Sequence, residues 1–232
     1  MRIPTFDTIA ALAVLVMASP ALATQTNAPK PGNPTGAKAE VIAQGLLHPW
    51  GMQFLPDGRF IVTERPGRIR LVSRDGRVSE PLAGAPQAEG RGQGGMLDIA
   101  LSPDFSSTRS VFISFTERRD RSGGNGTSVA RAKLNLSPEN EKFENLEIIF
   151  RQQPAFAGGF HFGSRLVFAR DGTLFVTLGE RNIKQEAQNP RSHLGAIVRI
   201  NPDGSVPSNN PFVGKKNAAS EMWSYGHRNP QA

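Results

Sequence analysis

Four Asp-Gly pairs, each set between short runs of apolar and β-branched residues, constrain this chain more than any other feature. They are Asp57-Gly58, Asp75-Gly76, Asp171-Gly172 and Asp203-Gly204. Asp-Gly reverses a chain tightly because the turn needs residues that accept positive φ, and between β-rich runs it signals a hairpin. Hairpins are therefore predicted over 52–63, 68–78, 166–177 and 197–206. The 24 glycines and 18 prolines among 232 residues suit many turns between short strands. Helical patterning is poor. Only 185–193 reads as a short helix, and Pro190 interrupts it.

A longer repeat lies over the turns. Phe54-Leu-Pro-Asp57 and Leu101-Ser-Pro-Asp104 share a Pro-Asp after an apolar strand, and Phe168-Ala-Arg-Asp171 takes the same place without the proline. An apolar strand follows each: Phe60-Ile-Val, Val111-Phe-Ile-Ser-Phe115 and Leu174-Phe-Val. The aspartates are 47 and then 67 residues apart. A strand-rich unit recurring every ~40–50 residues with loop insertions reads as propeller blades, and the alternative is a β-sandwich with coincidental turns.

The N-terminus suggests a compartment. Arg2 precedes the apolar run Ile9 to Met17, and Ala21-Leu22-Ala23 follows. This is the layout of a signal peptide over 1–23, with export to the periplasm or beyond. The run is too short to span a membrane, and no later segment is apolar enough to do so. Residues 24–38 read as a flexible leader and 39–232 as the folded region. Net charge is +7, but the Lys and Arg are scattered and lack interleaved aromatics, which speaks against a nucleic-acid surface. A solvated basic surface and a small anion site both remain open. With no cysteine, disulfides, thiol nucleophiles and iron–sulfur clusters are excluded.

Three Gly-rich segments at strand ends hold the candidate chemistry. No nucleophile elbow, Walker A loop or metal-spaced His pair occurs. Gln93, in Arg91-Gly-Gln-Gly-Gly-Met96, can donate and accept at once, and its flanking glycines leave the backbone open to a ligand. The alternative is a loop that merely needs positive φ. His161 lies between Phe160 and Phe162 just before a strand, where it can act as a general base. Glu180 closes the same hairpin and can orient it. The alternative is a histidine packed against a backbone partner. Arg228-Asn229 offers a cationic fork and an amide for a carboxylate or a developing oxyanion, or caps carbonyls at a blade edge.

These segments occur together with other markers in a fixed order. The order is His48-Pro-Trp-Gly-Met52, Gly92-Gln-Gly-Gly95, Leu101-Ser-Pro-Asp-Phe105, Gly126-Thr-Ser-Val-Ala-Arg131, His161-Phe-Gly-Ser-Arg-Leu166, Leu194 to Gly204 and Trp223 to Gln231. In this the chain resembles the soluble pyrroloquinoline-quinone-dependent glucose/sorbosone dehydrogenases, and most closely the bacterial aldose sugar dehydrogenases among them. The resemblance implies an all-β, six-bladed β-propeller of which about half is present. It implies oxidation of the C1 hydroxyl of aldoses to lactones, with hydride passing to pyrroloquinoline quinone and then electrons to an external acceptor. His161 matches the base, and Glu180 falls where the family has a supporting carboxylate. Gln93, Arg228 and Asn229 match quinone contacts, with Arg228 also placed to polarise the reactive carbonyl. Two departures are local: Phe160 stands where a small or polar residue is usual, and Ala196 where lysine is common. The family's further basic cofactor contacts and its calcium loop are expected beyond Ala232. The chain is accordingly expected to be an N-terminal fragment and inactive by itself. Two other readings stand beside this one: a non-catalytic propeller that binds a carbohydrate or protein, and a lactonase-type propeller hydrolase built on metal-binding carboxylates.

Overall fold

A computed structural model describes residue 36 and residues 38–231. The proposed signal peptide lies outside the described residues, as does the leader apart from Gly36 and Lys38. Met1–Glu40 and Val41–Ala232 form separate units. The second unit carries eleven strands among its described residues, in three antiparallel sheets. The first sheet is β1 (Pro49–Phe54), β2 (Phe60–Glu64) and β3 (Arg68–Val72). The second is β4 (Met96–Leu101), β5 (Ser110–Arg118), β6 (Asn125–Asn135) and β7 (Lys142–Arg151), in chain order. The third is β8 (Leu166–Phe168), β9 (Leu174–Thr177), β10 (Ala196–Ile200) and β11 (Met222–Tyr225), also in chain order. One helical turn, α1 (Phe105–Thr108), joins β4 to β5, and a 3-10 helix (Lys184–Gln188) stops ahead of Pro190.

All four Asp-Gly pairs adopt one turn. At each, the glycine N–H donates to the carbonyl three residues back, as in Gly58 to Leu55, and that residue's N–H bonds the carbonyl after the glycine. The four glycines have φ between 83° and 86°, while the aspartates are not left-handed. The turn is thus the three-residue loop with a glycine bulge. Two of the pairs close hairpins, β1–β2 and β8–β9. The other two do not. After Asp75-Gly76 the return arm forms no strand on β3, only a bridge from Val78 to Val72 and a bond from the Leu82 N–H to the Ile69 carbonyl, and after Asp203-Gly204 the partner of β10 is β11, reached through 201–221. Each return arm contains a proline, Pro81 or Pro207, and a proline cannot donate to a ladder. The Pro-Asp repeat fares better: Asp57, Asp104 and Asp171 each lie between the first and second strands of their sheet.

Alternation along the strands builds two cores at once. On β5, Val111, Ile113 and Phe115 join Ile61, Ile69 and Leu71 of the first sheet. Phe112, between them, packs with Leu166, Leu174, Val176 and Val198 of the third. Both faces of the second sheet are therefore apolar, as a stacked blade requires. Each such side chain, wholly buried, contributes about 1.5–3 kcal/mol.

The first strands of the sheets stand side by side, β1 against β4 and β4 against β8. Polar bonds knit them. Asp98 on β4 accepts the Leu166 N–H at 2.8 Å and the Arg165 guanidinium at 3.1 Å. Gly51 of β1 is so close that a Cβ there would lie 2.7 Å from Asp98 Oδ1. Burial pushes the Asp98 carboxyl up against the opposing pull of the Leu166 N–H and Arg165. The loops entering β4 and β8, with those leaving β9 and β11, carry the site.

Candidate active site

His161 sits on the loop from β7 to β8, buried with 7% of its surface exposed. Its φ is 51°, and Ser164, Arg181 and Asn182 nearby also have positive φ. Non-glycine residues pay for that conformation, on the order of 1–3 kcal/mol each, so the surrounding contacts must hold it. Glu180 follows β9 and is 1% exposed. His161 Nδ1 lies 2.6 Å from Glu180 Oε2, which also accepts the Asn182 N–H at 2.8 Å. With Glu180 a carboxylate, the network assigns the ring proton to Nδ1 and the lone pair to Nε2. Nε2 makes no hydrogen bond among the described residues. Glu180 Oε1 is buried and likewise finds no donor there.

Gln93 approaches from the loop before β4. Its N–H donates to the Gly159 carbonyl at 2.8 Å, and its Oε1 accepts the His161 N–H at 2.9 Å. The amide nitrogen is left to donate outward. The glycines around Gln93 were expected to admit a ligand, yet the chain itself makes the close approach. A Cβ at Gly92 would lie 2.3 Å from the Gly159 carbonyl oxygen, and one at Gly95 would lie 2.0 Å from that of Arg65. Loop-to-loop packing explains these glycines.

The segment after β11 is stitched to the same hairpin. Asn229 Oδ1 accepts the Gly163 N–H at 2.9 Å, and the Arg228 carbonyl accepts the Glu180 N–H at 2.9 Å. Thr177 Oγ1 donates to the Pro230 carbonyl at 2.7 Å. The Arg228 guanidinium is exposed and makes no hydrogen bond or ion pair among the described residues. The structure thus joins His161 directly to Glu180 and Gln93, and ties Asn229 to the same loop through Gly163. It brings in Arg228 by its backbone only.

Sequence reasoning passed over Arg181. Its guanidinium is 1% exposed and lies 3.8 Å over the Phe162 ring. It donates to the carbonyls of Phe160 at 2.9 Å, Gly158 at 2.9 Å and Asn125 at 3.2 Å, and to Asn125 Oδ1 at 2.6 Å. Burial lowers its pKa to about 10 against the opposing fields of Glu89 and Glu180. An arginine adjoining Glu180 was the only signal, and nothing in the sequence says where its fork points. Phe160 is 55% exposed beside His161.

The donors left outward, the Gln93 and Asn229 amides and the Arg228 guanidinium, suit an anionic, carbonyl-rich ligand such as a quinone carboxylate. Calcium finds no such fit: among the described residues no group of three or more His, Cys, Asp or Glu could hold a metal ion. No residue here is assigned to it.

Stacked antiparallel sheets of three and four strands, with a histidine–carboxylate pair at their strand ends, define a β-propeller with an enzyme-like site. Residues 46–232 match the glucose/sorbosone dehydrogenase family, and the chain belongs to it. It is 40% identical over 199 residues to the aldose sugar dehydrogenase YliI of Escherichia coli, covering 85% of this chain and 53% of that one. A crystal structure of a glucose dehydrogenase superposes with a TM-score of 0.78 at 45% identity, covering 82% of this chain and 54% of the other. The PQQ-bound aldose sugar dehydrogenase of Streptomyces coelicolor gives 0.72 at 34% identity, over 82% and 54%. The chain spans about half the length of the relatives it matches.

Proposed function

We propose that this chain supplies the base-bearing part of a quinone-dependent aldose dehydrogenase. The observation that carries the reading is His161, with Nδ1 tied to Glu180 and Nε2 without a protein partner. A base needs that asymmetry: one nitrogen anchored, the other open to a substrate hydroxyl. In this reading Nε2 takes the C1 hydroxyl proton of an aldose as the C1 hydride departs and a lactone carbonyl forms. Glu180 holds the ring and stabilises the imidazolium that results. The Gln93 and Asn229 amides and the Arg228 guanidinium would hold the quinone, and Arg228 would offer positive charge to a reactive carbonyl. Pyrroloquinoline quinone, when bound, supplies the hydride acceptor. An external acceptor then removes the electrons. Export to the periplasm is proposed on residues 1–23. No described helix is long and apolar enough to cross a membrane.

The test is dye-coupled oxidation of an aldose panel by the full-length gene product, with and without quinone. Quinone-dependent turnover that vanishes in His161→Ala supports the reading. Sugar binding with no turnover at any quinone concentration would replace it with a non-catalytic propeller.

A further inference from the structure

We propose that Arg181 is the positioning residue of the base: its buried guanidinium clamps the main chain on both sides of His161 and sets where the imidazole stands. The proposal rests on the reading of His161 as the base. Its geometric content stands apart from turnover.

Three features carry it. The first is the choice of acceptors. Arg181 bonds the carbonyls of Gly158 and Phe160, two of the three residues ahead of His161, and its guanidinium lies on the ring of Phe162, the residue after it. One side chain thus grips the loop before and behind the histidine. The second is the absence of a direct ion pair. All four of its acceptor contacts are amide oxygens. A cation buried against neutral acceptors is expensive and is retained where its hydrogen bonds do a specific task. Here that task is holding 158–160 against the start of β6. The third is the reach of the network. Asn125 accepts from Arg181 and donates to Glu89 Oε2 at 2.9 Å and to the Gly158 carbonyl at 3.1 Å. Glu89 lies in the same loop as Gln93, whose Oε1 holds the His161 N–H. Arg181 also follows Glu180 directly, so the turn that aims the carboxylate aims the fork. The loop that bears His161, the turn that bears Glu180 and the loop that bears Gln93 are therefore tied to one guanidinium, whose charge lies beside the carboxylate that holds the ring.

Lysine at this place keeps the charge but offers a single ammonium on a flexible stem, without a planar fork. Arg181→Lys is therefore the informative change, with Arg181→Met as the variant lacking charge. In the 15N-labelled chain, long-range imidazole correlation spectra should show His161 as one tautomer, protonated at Nδ1. His193, bonded at both nitrogens to residues that Arg181 does not hydrogen-bond, serves as the internal control for the fold. The expected result in Arg181→Lys is a mixed or broadened His161 pattern and at least tenfold faster exchange of the His161 amide proton, with His193 unchanged. Wild-type His161 tautomer and exchange in that variant would overturn the proposal. So would loss of the His193 pattern alongside it, because Arg181 would then serve the fold at large. Should Arg181→Met not fold, Arg181→Lys decides alone. A separate failure of the base reading would be seen as aldose turnover surviving His161→Ala, and would leave these spectra as they are.

Discussion

His161 and His193 are both buried, and each is hydrogen-bonded to one glutamate. His161 Nδ1 meets Glu180 at 2.6 Å, and His193 Nε2 meets Glu221 at 2.9 Å. They differ at the second nitrogen. His193 Nδ1 accepts the Gln153 N–H at 3.0 Å, its own N–H returns a bond to the Gln153 carbonyl at 2.8 Å, and its ring lies 5.3 Å from that of Phe150. Every polar group of that imidazole is spent on joining the β7 end to the β10 approach. His161 is held as firmly by backbone and carboxylate, but its Nε2 is unspent. The contrast teaches that a histidine–carboxylate pair does not by itself mark a base. The unpaired nitrogen does.

The largest effect expected to break or sharpen that contrast comes from removing each ring. His161→Ala should lower kcat/KM for aldoses by about 100- to 10,000-fold, the usual contribution of a general base. Its thermal midpoint should hardly move. His193→Ala should do the reverse, leaving turnover near wild type. It should lower stability by about 1 kcal/mol, since the Gln153 N–H loses a part-buried hydrogen bond. Steady-state kinetics beside thermal melts decide this, and equal kinetic losses would dissolve the distinction.

Next in size is Glu180→Gln. The amide can present a donor to Nδ1 and invert the tautomer, so kcat should fall by about 100-fold. Glu221→Gln should leave kcat unaltered. Phe160→Asn comes third. An exposed ring beside the base acts on which sugar is accepted, and the ratio of kcat/KM between two aldoses should shift by about tenfold. An unchanged ratio across the panel would remove Phe160 from the sugar contacts.

The smallest effect concerns acid. The His193 hydrogen bond holds the Glu221 carboxyl below its ordinary value of 4.5, more than offsetting its burial. A lowered carboxylate stabilises the folded form above its unfolded value, and that contribution is lost as pH falls through the folded one. The wild-type thermal midpoint should thus drop more steeply below pH 4.5 than that of Glu221→Gln. Parallel curves would show that the pair is not coupled to folding.

Much of the fold was legible along the chain. Asp57, Asp104 and Asp171 mark the same place in three sheets, and the apolar run Val111 to Phe115 is a strand, as read. Reading Asp75-Gly76 and Asp203-Gly204 as hairpins neglected Pro81 and Pro207, which stop the return strand. The site was legible as residue types in glycine-rich loops, and the structure draws four of the five together. The reason for those glycines was not legible, because it lies in other loops pressing on them across many residues of sequence.

By itself, then, the sequence determined the turns, the all-β class, the family and a set of candidate residues. Turn chemistry and strand alternation act between near neighbours and leave a local pattern. The tertiary structure alone decided which histidine keeps an open nitrogen, and that Arg181 reaches around His161. Those facts depend on where Gln153, Asn125 and Gly158 arrive after the sheets stack, and no spacing along the chain records that.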